Sequence, residues 1–216
     1  NYVLSRIVRR LLPVRKNEII QTENDFFTHH EEYYQVKGNA YYEGIWESVK
    51  NYISIRKKLQ KVYAHGTPND MNAKYIEAME TENSVGIHIR RGDYLKCPDF
   101  MGISDLDYYE RAIKEIQKDG LNHTYYIFSN DTQWCAKYIT PLCNDGNVVL
   151  VTNNTGKNSV WDMFLMSHCK DLIIANSSFS WWGAFLNQRG GKVVAPKKWV
   201  NRDTEFDIWL DEWIRM

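Results

Sequence analysis

The sequence predicts an α/β protein built on a Rossmann-type parallel sheet with helices on both faces. Strand-like apolar runs and helix-like runs alternate four times over about 110 residues, beginning at Val85. The 216 residues are 44% hydrophobic and 14% aromatic, which is enough for a sizeable core. Each strand-like run is followed by polar residues, as expected at the carboxyl edge of an open sheet.

Composition excludes several classes of protein. Lys and Arg number 27, as do Asp and Glu, which argues against a general nucleic-acid binder. No apolar run reaches bilayer length and no secretory signal pattern occurs, so we expect a bacterial cytoplasmic protein. A basic segment at residues 6–16 could instead contact a membrane surface peripherally, although a solvated face is the simpler interpretation. The four cysteines lack C-x-x-C spacing, which predicts reduced thiols.

The first 80 residues carry weaker patterns than the rest of the chain. Residues 31–36 and 40–42 are predicted as short strands or loops. Apolar spacing predicts one helix over residues 48–61 and another over 70–80, with a turn at 66–69 between them. We therefore divide the chain into residues 1–80 and a regular domain at 81–216.

The regular domain begins with a strand at residues 85–89. Val85, Ile87 and Ile89 alternate on one face, with Gly86 and His88 on the other. Ser104, with Asp107 three residues later, resembles a capping box for the next helix. The remaining predicted strands are 124–128, 148–151, 172–175 and 192–195, and the remaining predicted helices are 134–139, 160–169 and 179–187.

Charged residues follow the first strand of this domain. Arg90 and Arg91 are suited to phosphate because the guanidinium fork carries several donors and a permanent charge. They could equally form surface ion pairs at a solvated strand end. Asp93 could lock one of these arginines or act as a base, and the lock is favoured because neighbouring cations stabilise its charged form. His88 is either a core histidine or a group that orients a phosphate oxygen.

A second polar segment opens the helix at residue 179. Ser177 and Ser178 precede it, and helix-start N–H groups form an anion site; ordinary capping by Asn176 or Ser178 explains the same residues. The sequence has no phosphate loop, no G-x-G-x-x-G, no D-x-D pair at a strand end and no His/Cys ligand spacing. A bound diphosphate would therefore be neutralised by arginine and backbone donors rather than by Mg²⁺.

The run His88-Ile89-Arg90-Arg91-Gly92-Asp93 resembles the H-x-R-R-x-D motif of α-1,2-fucosyltransferases, the inverting glycosyltransferase family 11. Further stretches strengthen the resemblance, which covers about residues 42 to 200; they are Asp107-Tyr108-Tyr109, Phe128-Ser129-Asn130-Asp131, Ala175-Asn176-Ser177-Ser178-Phe179-Ser180-Trp181-Trp182 and Ala195-Pro196-Lys197-Lys198-Trp199.

The resemblance implies a GT-B-like enzyme that transfers L-fucose from GDP-fucose to the 2-hydroxyl of a β-galactoside with inversion and without a required metal. Residues 1–80 would be the remnant of an acceptor-side domain with linking helices, and 81–216 the GDP-sugar-binding domain. A galactose-containing bacterial surface glycan is the implied acceptor. The implied catalytic residues are Arg90, Arg91 and Asp93, and the implied donor-binding residues are His88, Ser129, Asn130, Asn176, Ser177, Ser178, Phe179 and Ser180.

One departure from the family leaves alternatives open. The family usually begins with a G-G-L-G-N-Q-like loop beside the active site, and these 216 residues contain none. We therefore expect either that a first segment is missing or that the domain is degenerate. A non-catalytic module that binds GDP or glycan is one alternative, and a transferase for another GDP-sugar is the other.

Overall fold

The computed structural model describes residues 17–63 and 66–216. They form two compact units, one containing the chain up to Tyr52 with Thr204–Ile208, the other containing Ile53–Asp203 with Trp209–Met216. The boundary thus lies between Tyr52 and Ile53, whereas the sequence pattern places one at residues 80 and 81. Within the described ranges, no helix combines the length and apolarity needed to cross a bilayer. The basic segment at residues 6–16 lies outside the described residues.

The larger unit is built on a six-stranded, wholly parallel sheet in the order β5-β4-β3-β6-β7-β8. Two further strands pair in parallel in the smaller unit. The strands are β1 Glu18–Ile20, β2 Tyr41–Glu43, β3 Ser84–Ile89, β4 Thr124–Ser129, β5 Asn147–Val151, β6 Asp171–Ile173, β7 Val193–Ala195 and β8 Ile214–Arg215.

Helices cover both faces of the larger sheet, as the sequence predicts. The helices are α1 Arg56–Val62, α2 Asp70–Thr81, α3 Leu106–Gln117, α4 Thr132–Tyr138, α5 Val160–His168 and α6 Ser178–Leu186. The apolar stripe of α3 packs with Val85, Ile87 and Ile89 in the main core. On the opposite face the His88 ring lies 5.5 Å from that of Phe179 in α6. The Rossmann-type prediction is therefore confirmed.

The opposite face also explains a glycine in β3. A Cβ at Gly86 would lie 2.7 Å from Leu172 Cδ2 and 3.1 Å from Cys169 Sγ. Any larger residue would push β3 away from this side of the core. All four cysteines are free thiols, and Cys135, Cys143 and Cys169 are buried, as expected for reduced packing residues.

The helix predicted over residues 48–61 is interrupted. Two 3₁₀ turns, Val49–Asn51 and Ile53–Ile55, precede α1. Tyr52, with φ of −121°, leaves the helical region. Val49 N donates to Asp207 O at 2.6 Å, a contact with a part of the chain far away in sequence. Periodicity identified the apolar side of the segment but could not reveal this contact.

The predicted capping box of α3 is wrong by one residue. The N-cap is Asp105, whose side chain accepts from Tyr108 N at 2.9 Å. Ser104 instead donates from Oγ to Asn176 Oδ1 at 2.9 Å. The sequence also failed to reveal β8, because a two-residue strand has no measurable periodicity.

In the smaller unit, a buried glutamine organises the turn after β2. Gln21 Oε1 accepts from Ile45 N at 3.0 Å and from Trp46 N at 2.9 Å. Trp46 adopts φ of 59°, and its carbonyl accepts from Asn51 Nδ2 and the Tyr52 hydroxyl. These bonds compensate for a backbone conformation that is unfavourable for a tryptophan. The segment predicted as short strands or loops contains a 3₁₀ turn at Glu31–Tyr34 and the strand β2.

We predict that Asp105→Ala lowers the free energy of unfolding by about 1 kcal/mol, since it removes the N-cap of α3. The matched change Asp107→Ala removes an exposed ion pair with Arg111 and should cost only a few tenths. Urea denaturation followed by circular dichroism measures both. Equal losses in the two variants would contradict the capping assignment.

Candidate functional site

The candidate site lies where the strand order reverses, between β3 and β6. The chain leaves β3 towards β4 on one side and leaves β6 towards β7 on the other. Loops that diverge in this way open a crevice beyond the carboxyl ends of the strands, the usual ligand position in open α/β sheets. The sequence-predicted residues lie at or just after the carboxyl ends of β3, β4 and β6, and β3 and β6 flank this crevice.

Arg90 emerges from β3 at the crevice. Its NH2 group lies 2.8 Å from Asp93 Oδ1 and 2.9 Å from Oδ2, and its guanidinium lies 5.3 Å from the centroid of the Tyr94 ring. The Arg90 side chain remains 36% exposed, so its other donors can reach a ligand. Asp93 therefore fixes the orientation of Arg90 by an ion pair, which is the role that the sequence favoured for Asp93.

Arg91 is held away from this opening. Its Nε donates to Asp131 Oδ2 at 3.1 Å, and its guanidinium lies 4.0 Å from the centroid of the Trp134 ring. Its backbone N–H donates to Asn130 Oδ1 at 3.0 Å. Gly92, at φ of 60°, lies so close that a Cβ would be 2.7 Å from Asn130 Nδ2. Arg91 thus packs against the start of α4, and the two arginines differ in availability.

His88 is buried near the end of β3, on the face that packs against Phe179 of α6. Its residue exposure is 6%, and its Nδ1 has no hydrogen-bond partner among the described residues. Burial lowers the pKa of His88 to about 3, with a smaller contribution from the positive charge of Arg90. The imidazole is therefore neutral near pH 7 and carries an unsatisfied buried nitrogen, which is uncommon in folded proteins.

The start of α6 presents backbone donors beside His88. Ser177 is the N-cap, but no side chain caps the helix there. Ser178 is exposed and Phe179 is half-buried, with its ring against His88. Uncapped N–H groups at a helix start attract anions. The start of α6 therefore leaves backbone donors available, and the anion site stays a prediction. Ser180, in contrast, is buried and donates to the carbonyls of Ala175 and Ser177.

Asn176 holds loops together beneath the crevice. Its Nδ2 donates to Trp199 O at 3.1 Å, and its Oδ1 accepts from Ser104 Oγ. Its backbone N–H donates to the same Ser104 oxygen at 3.1 Å. With an exposure of 3%, this side chain is already engaged. The structure therefore gives Asn176 a positioning role among the predicted donor-binding residues.

The predicted residues at the end of β4 lie one strand away from the crevice. Ser129 Oγ accepts from Asp131 N at 3.0 Å, and Asn130 holds the Arg91 backbone. Both residues shape the turn that fixes Arg91. The structure thus brings His88, Arg90, Asp93 and the start of α6 together, while Ser129 and Asn130 support the neighbouring loop.

Asp162 is a polar group at this edge that sequence reasoning missed. It lies in the first turn of α5 and accepts from Asn154 Nδ2 at 2.8 Å, while Asn154 also contacts buried Asn72. Burial raises the pKa of Asp162 to about 6, and the Asn154 hydrogen bond opposes the shift. Such shifts are frequent at functional sites. A lone aspartate inside the apolar helix pattern of residues 160–169 was the available signal.

These features define a Rossmann-type α/β domain with an anion-attracting crevice at its switch point. The model of glycosyl transferase family 11 matches residues 17–216, and the chain belongs to this family. The resemblance to the α-1,2-fucosyltransferase family that the sequence motifs indicated is thereby confirmed.

The chain is similar to several curated proteins and spans about half the length of them. The O-antigen biosynthesis glycosyltransferase WbnK of Escherichia coli is 39% identical over 68% of this chain and 49% of the relative. An alpha-1,2-colitosyltransferase of Escherichia coli is 34% identical over 84% of this chain and 64% of the relative. Galactoside 2-alpha-L-fucosyltransferase Sec1 of Mus musculus is 25% identical over 64% and 39%.

We predict that Asp162→Asn stabilises the protein at pH 8 by about 1–3 kcal/mol. The folded-state pKa of Asp162 is raised to about 6 from 3.8, so folding favours the protonated form. Stability is therefore lost as the pH rises from 3.8 through 6, and the neutral amide escapes this loss. Unfolding free energies at pH 3.5 and pH 8 measure the effect.

The matched control is Asp107→Asn, because Asp107 also lies in a first helical turn but is exposed. Its stability difference from the parent should be similar at both pH values. A pH-independent effect of Asp162→Asn would show that the Asp162 carboxyl is ionised without penalty, contrary to the prediction.

Proposed function

We propose that this chain forms the donor-binding part of an inverting galactoside α-1,2-fucosyltransferase. It would bind GDP-fucose and support transfer of L-fucose to the 2-hydroxyl of a galactose-containing glycan, without a required metal. The observation that carries the proposal is the pairing of an available arginine, Arg90, with an uncapped helix start at Ser178 across the switch point.

Arg90 is proposed to bind the β-phosphate of the donor. Its guanidinium is oriented by Asp93 and remains partly exposed, so it can donate to phosphate oxygens without first breaking a buried ion pair. Charge-assisted, multidentate hydrogen bonds are what arginine provides to phosphate. Arg91 is held by an ion pair with Asp131 and by stacking on Trp134. These contacts favour Arg90 as the phosphate ligand and leave Arg91 to position the loop.

The reaction needs stabilisation of the leaving group more than a covalent catalyst. An acceptor hydroxyl would attack the anomeric carbon on the face opposite the departing GDP and release its proton to water as the bond to the β-phosphate oxygen breaks, which inverts the configuration. Negative charge grows on the β-phosphate, and Arg90 with the α6 N–H groups would neutralise it. Preorganised donors of this kind contribute about 3–4 kcal/mol each in well-studied enzymes.

Asp93 is not proposed as the base. A carboxylate bonded to Arg90 through both oxygens is stabilised in its charged form and is a weak proton acceptor. Asp93 instead keeps the Arg90 fork in the crevice. His88 remains neutral near pH 7 and its Nδ1 is buried, so His88 would shape the wall of the donor pocket beside Arg90 without adding charge.

The relatives support the sugar-transfer class and the acceptor. One relative is named as a galactoside fucosyltransferase and another as a glycosyltransferase of O-antigen biosynthesis. Both names are consistent with a galactoside acceptor in a bacterial surface glycan. A different GDP-sugar is the second candidate, because the relative at 34% identity is named as a colitosyltransferase. The third is a module that binds GDP but does not catalyse transfer.

We predict that GDP binds this chain equally well with and without Mg²⁺, and that Arg90→Ala lowers the affinity at least tenfold, or about 1.4 kcal/mol. Arg91→Ala should mainly reduce stability, by about 1–2 kcal/mol, through loss of the Asp131 and Trp134 contacts. Arg111→Ala, which removes an exposed helical arginine, is the matched control. Calorimetric titration and thermal unfolding measure the two effects.

The opposite assignment would follow if Arg91→Ala abolished GDP binding while Arg90→Ala preserved it. Failure of the parent chain to bind GDP would contradict the donor-site proposal for this chain. Turnover assays with GDP-fucose and a β-galactoside then separate enzyme from module, since a module binds GDP and transfers no fucose. Competition among GDP-fucose, GDP-mannose and UDP-galactose tests the choice of donor.

A further inference from the structure

The two halves of the larger sheet separate at the candidate donor crevice. The pairing of β3 with β6 ends at Ile87 and Ile173. Beyond this pair, β3 still pairs with β4, while Ile174 N on the β6 side donates to Val194 O at 2.9 Å. A strand ladder therefore no longer sets the distance between the halves at the point where Arg90 and the start of α6 follow.

Two adjacent tyrosines of α3, here called the tyrosine pair, hold the first carbonyl beyond the last pair on each strand. The Tyr109 hydroxyl donates to His88 O at 2.9 Å. The Tyr108 hydroxyl donates to Ile174 O at 2.6 Å, and Val194 O lies 3.1 Å from the same hydroxyl. The two hydroxyls therefore begin to act where the ladder between β3 and β6 stops.

The tyrosine pair is held firmly near the start of α3. Tyr108 is 1% exposed and Tyr109 is fully buried, and their ring centroids lie 5.1 Å apart at an interplanar angle of 65°. Hydrogen bonds are stronger in such a dry environment. A strand end that moved away would leave its carbonyl without a donor and without water to replace it. One helix start therefore fixes both strand ends.

A further contact joins the same helix start to the segment that leads into α6. Ser104, two residues before α3, accepts from Asn176 N at 3.1 Å and donates to Asn176 Oδ1 at 2.9 Å. Asn176 directly precedes Ser177, the N-cap of α6. The start of α3 is therefore bonded to the end of β3 through Tyr109, and to the β6 side through Tyr108 and Ser104.

Other buried tyrosines of the sheet direct their hydroxyls elsewhere. The Tyr125 hydroxyl donates to Asp145 Oδ1 at 2.8 Å and the Tyr126 hydroxyl to Glu82 Oε2 at 3.2 Å, and both carboxylates precede strands at the amino edge. A buried tyrosine usually finds some partner for its hydroxyl, so the bonds alone do not indicate a functional role. The tyrosine pair differs because its partners are backbone carbonyls on opposite sides of the switch point.

We propose that Tyr109 and Tyr108 are positioning residues, which fix the width of the donor crevice and hence the separation of Arg90 from the N–H groups at the start of α6. The inference rests on the proposed function, in which a diphosphate contacts both sides. N–H···O hydrogen bonds form over a donor–acceptor range of only about 2.7–3.2 Å. A crevice that widened by about 1 Å would therefore lose the contacts on one side.

Amide hydrogen exchange, measured by mass spectrometry, tests the positioning role without a ligand. Tyr109→Phe keeps the ring and removes the hydroxyl, so we expect exchange to rise about threefold or more in peptides covering residues 88–94 and 174–180. Tyr125→Phe is the matched control, because it removes an equally buried hydroxyl at the amino edge. It should leave exchange in these peptides unchanged.

Tyr108→Phe is the second variant, because it removes the hydroxyl contact on the β6 side only. We expect faster exchange over residues 174–180 and no change over residues 88–94. Circular dichroism verifies that each variant is folded. Unchanged exchange in folded Tyr109→Phe, or in folded Tyr108→Phe if the former does not fold, would overturn the proposal.

Calorimetric titration of GDP tests whether the crevice width matters for the donor. Tyr109→Phe should weaken GDP binding about fivefold or more, whereas Tyr125→Phe should bind GDP with the parent affinity. Added to Arg90→Ala, the Tyr109→Phe change should weaken binding by less than about twofold, because the spacing is irrelevant once one side has lost its donor. A purely structural role would instead produce equal losses in the presence and absence of Arg90.

The two measurements separate a failed positioning role from a failed donor site. If the parent bound no GDP while exchange responded as expected, the proposed function would fail and the tyrosine pair would still control the strand ends. If the parent bound GDP and folded Tyr109→Phe bound it equally tightly, the positioning role would be overturned and the donor site would remain.

Discussion

The organisation of the larger unit depends on the complete burial of β3. All six residues of Ser84–Ile89 are buried, with parallel neighbours on both edges and helices on both faces. Fully burying one isoleucine side chain contributes about 1.5–3 kcal/mol, so a one-residue slip that reversed the faces would be strongly disfavoured. Charged groups can appear only where the strand ends, and this constraint positions Arg90 at the switch point.

The same constraint separates two adjacent arginines. Successive side chains of a strand point to opposite faces, so Arg90 follows the direction of His88 while Arg91 is directed towards α4. The influence of the Arg90 charge on the pKa of His88 and the stacking of Arg91 on Trp134 agree with this division. A motif with two arginines therefore combines one ligand-facing group with one that anchors the loop.

The sequence predicted features governed by local periodicity. The strand at 85–89, the apolar stripe of α3 and the position of the polar residues at strand ends follow from alternation that is visible in the chain. Features governed by distant contacts were inaccessible. Ser104 bonds with Asn176, 72 residues away, so the positioning role of Asn176 could not be inferred from spacing. The same distant bond occupies Ser104 and leaves the local capping of α3 to Asp105.

The two edges of the sheet differ in how far their polar groups are already engaged. At the amino edge, His123 contacts Asp145 at 2.8 Å and Asp119 at 3.3 Å, so its ring nitrogens have partners within the protein. At the carboxyl edge, the Arg90 side chain remains 36% exposed and no side chain caps the start of α6. The donors that can still reach an anion therefore lie at the carboxyl edge, beyond the buried end of β3.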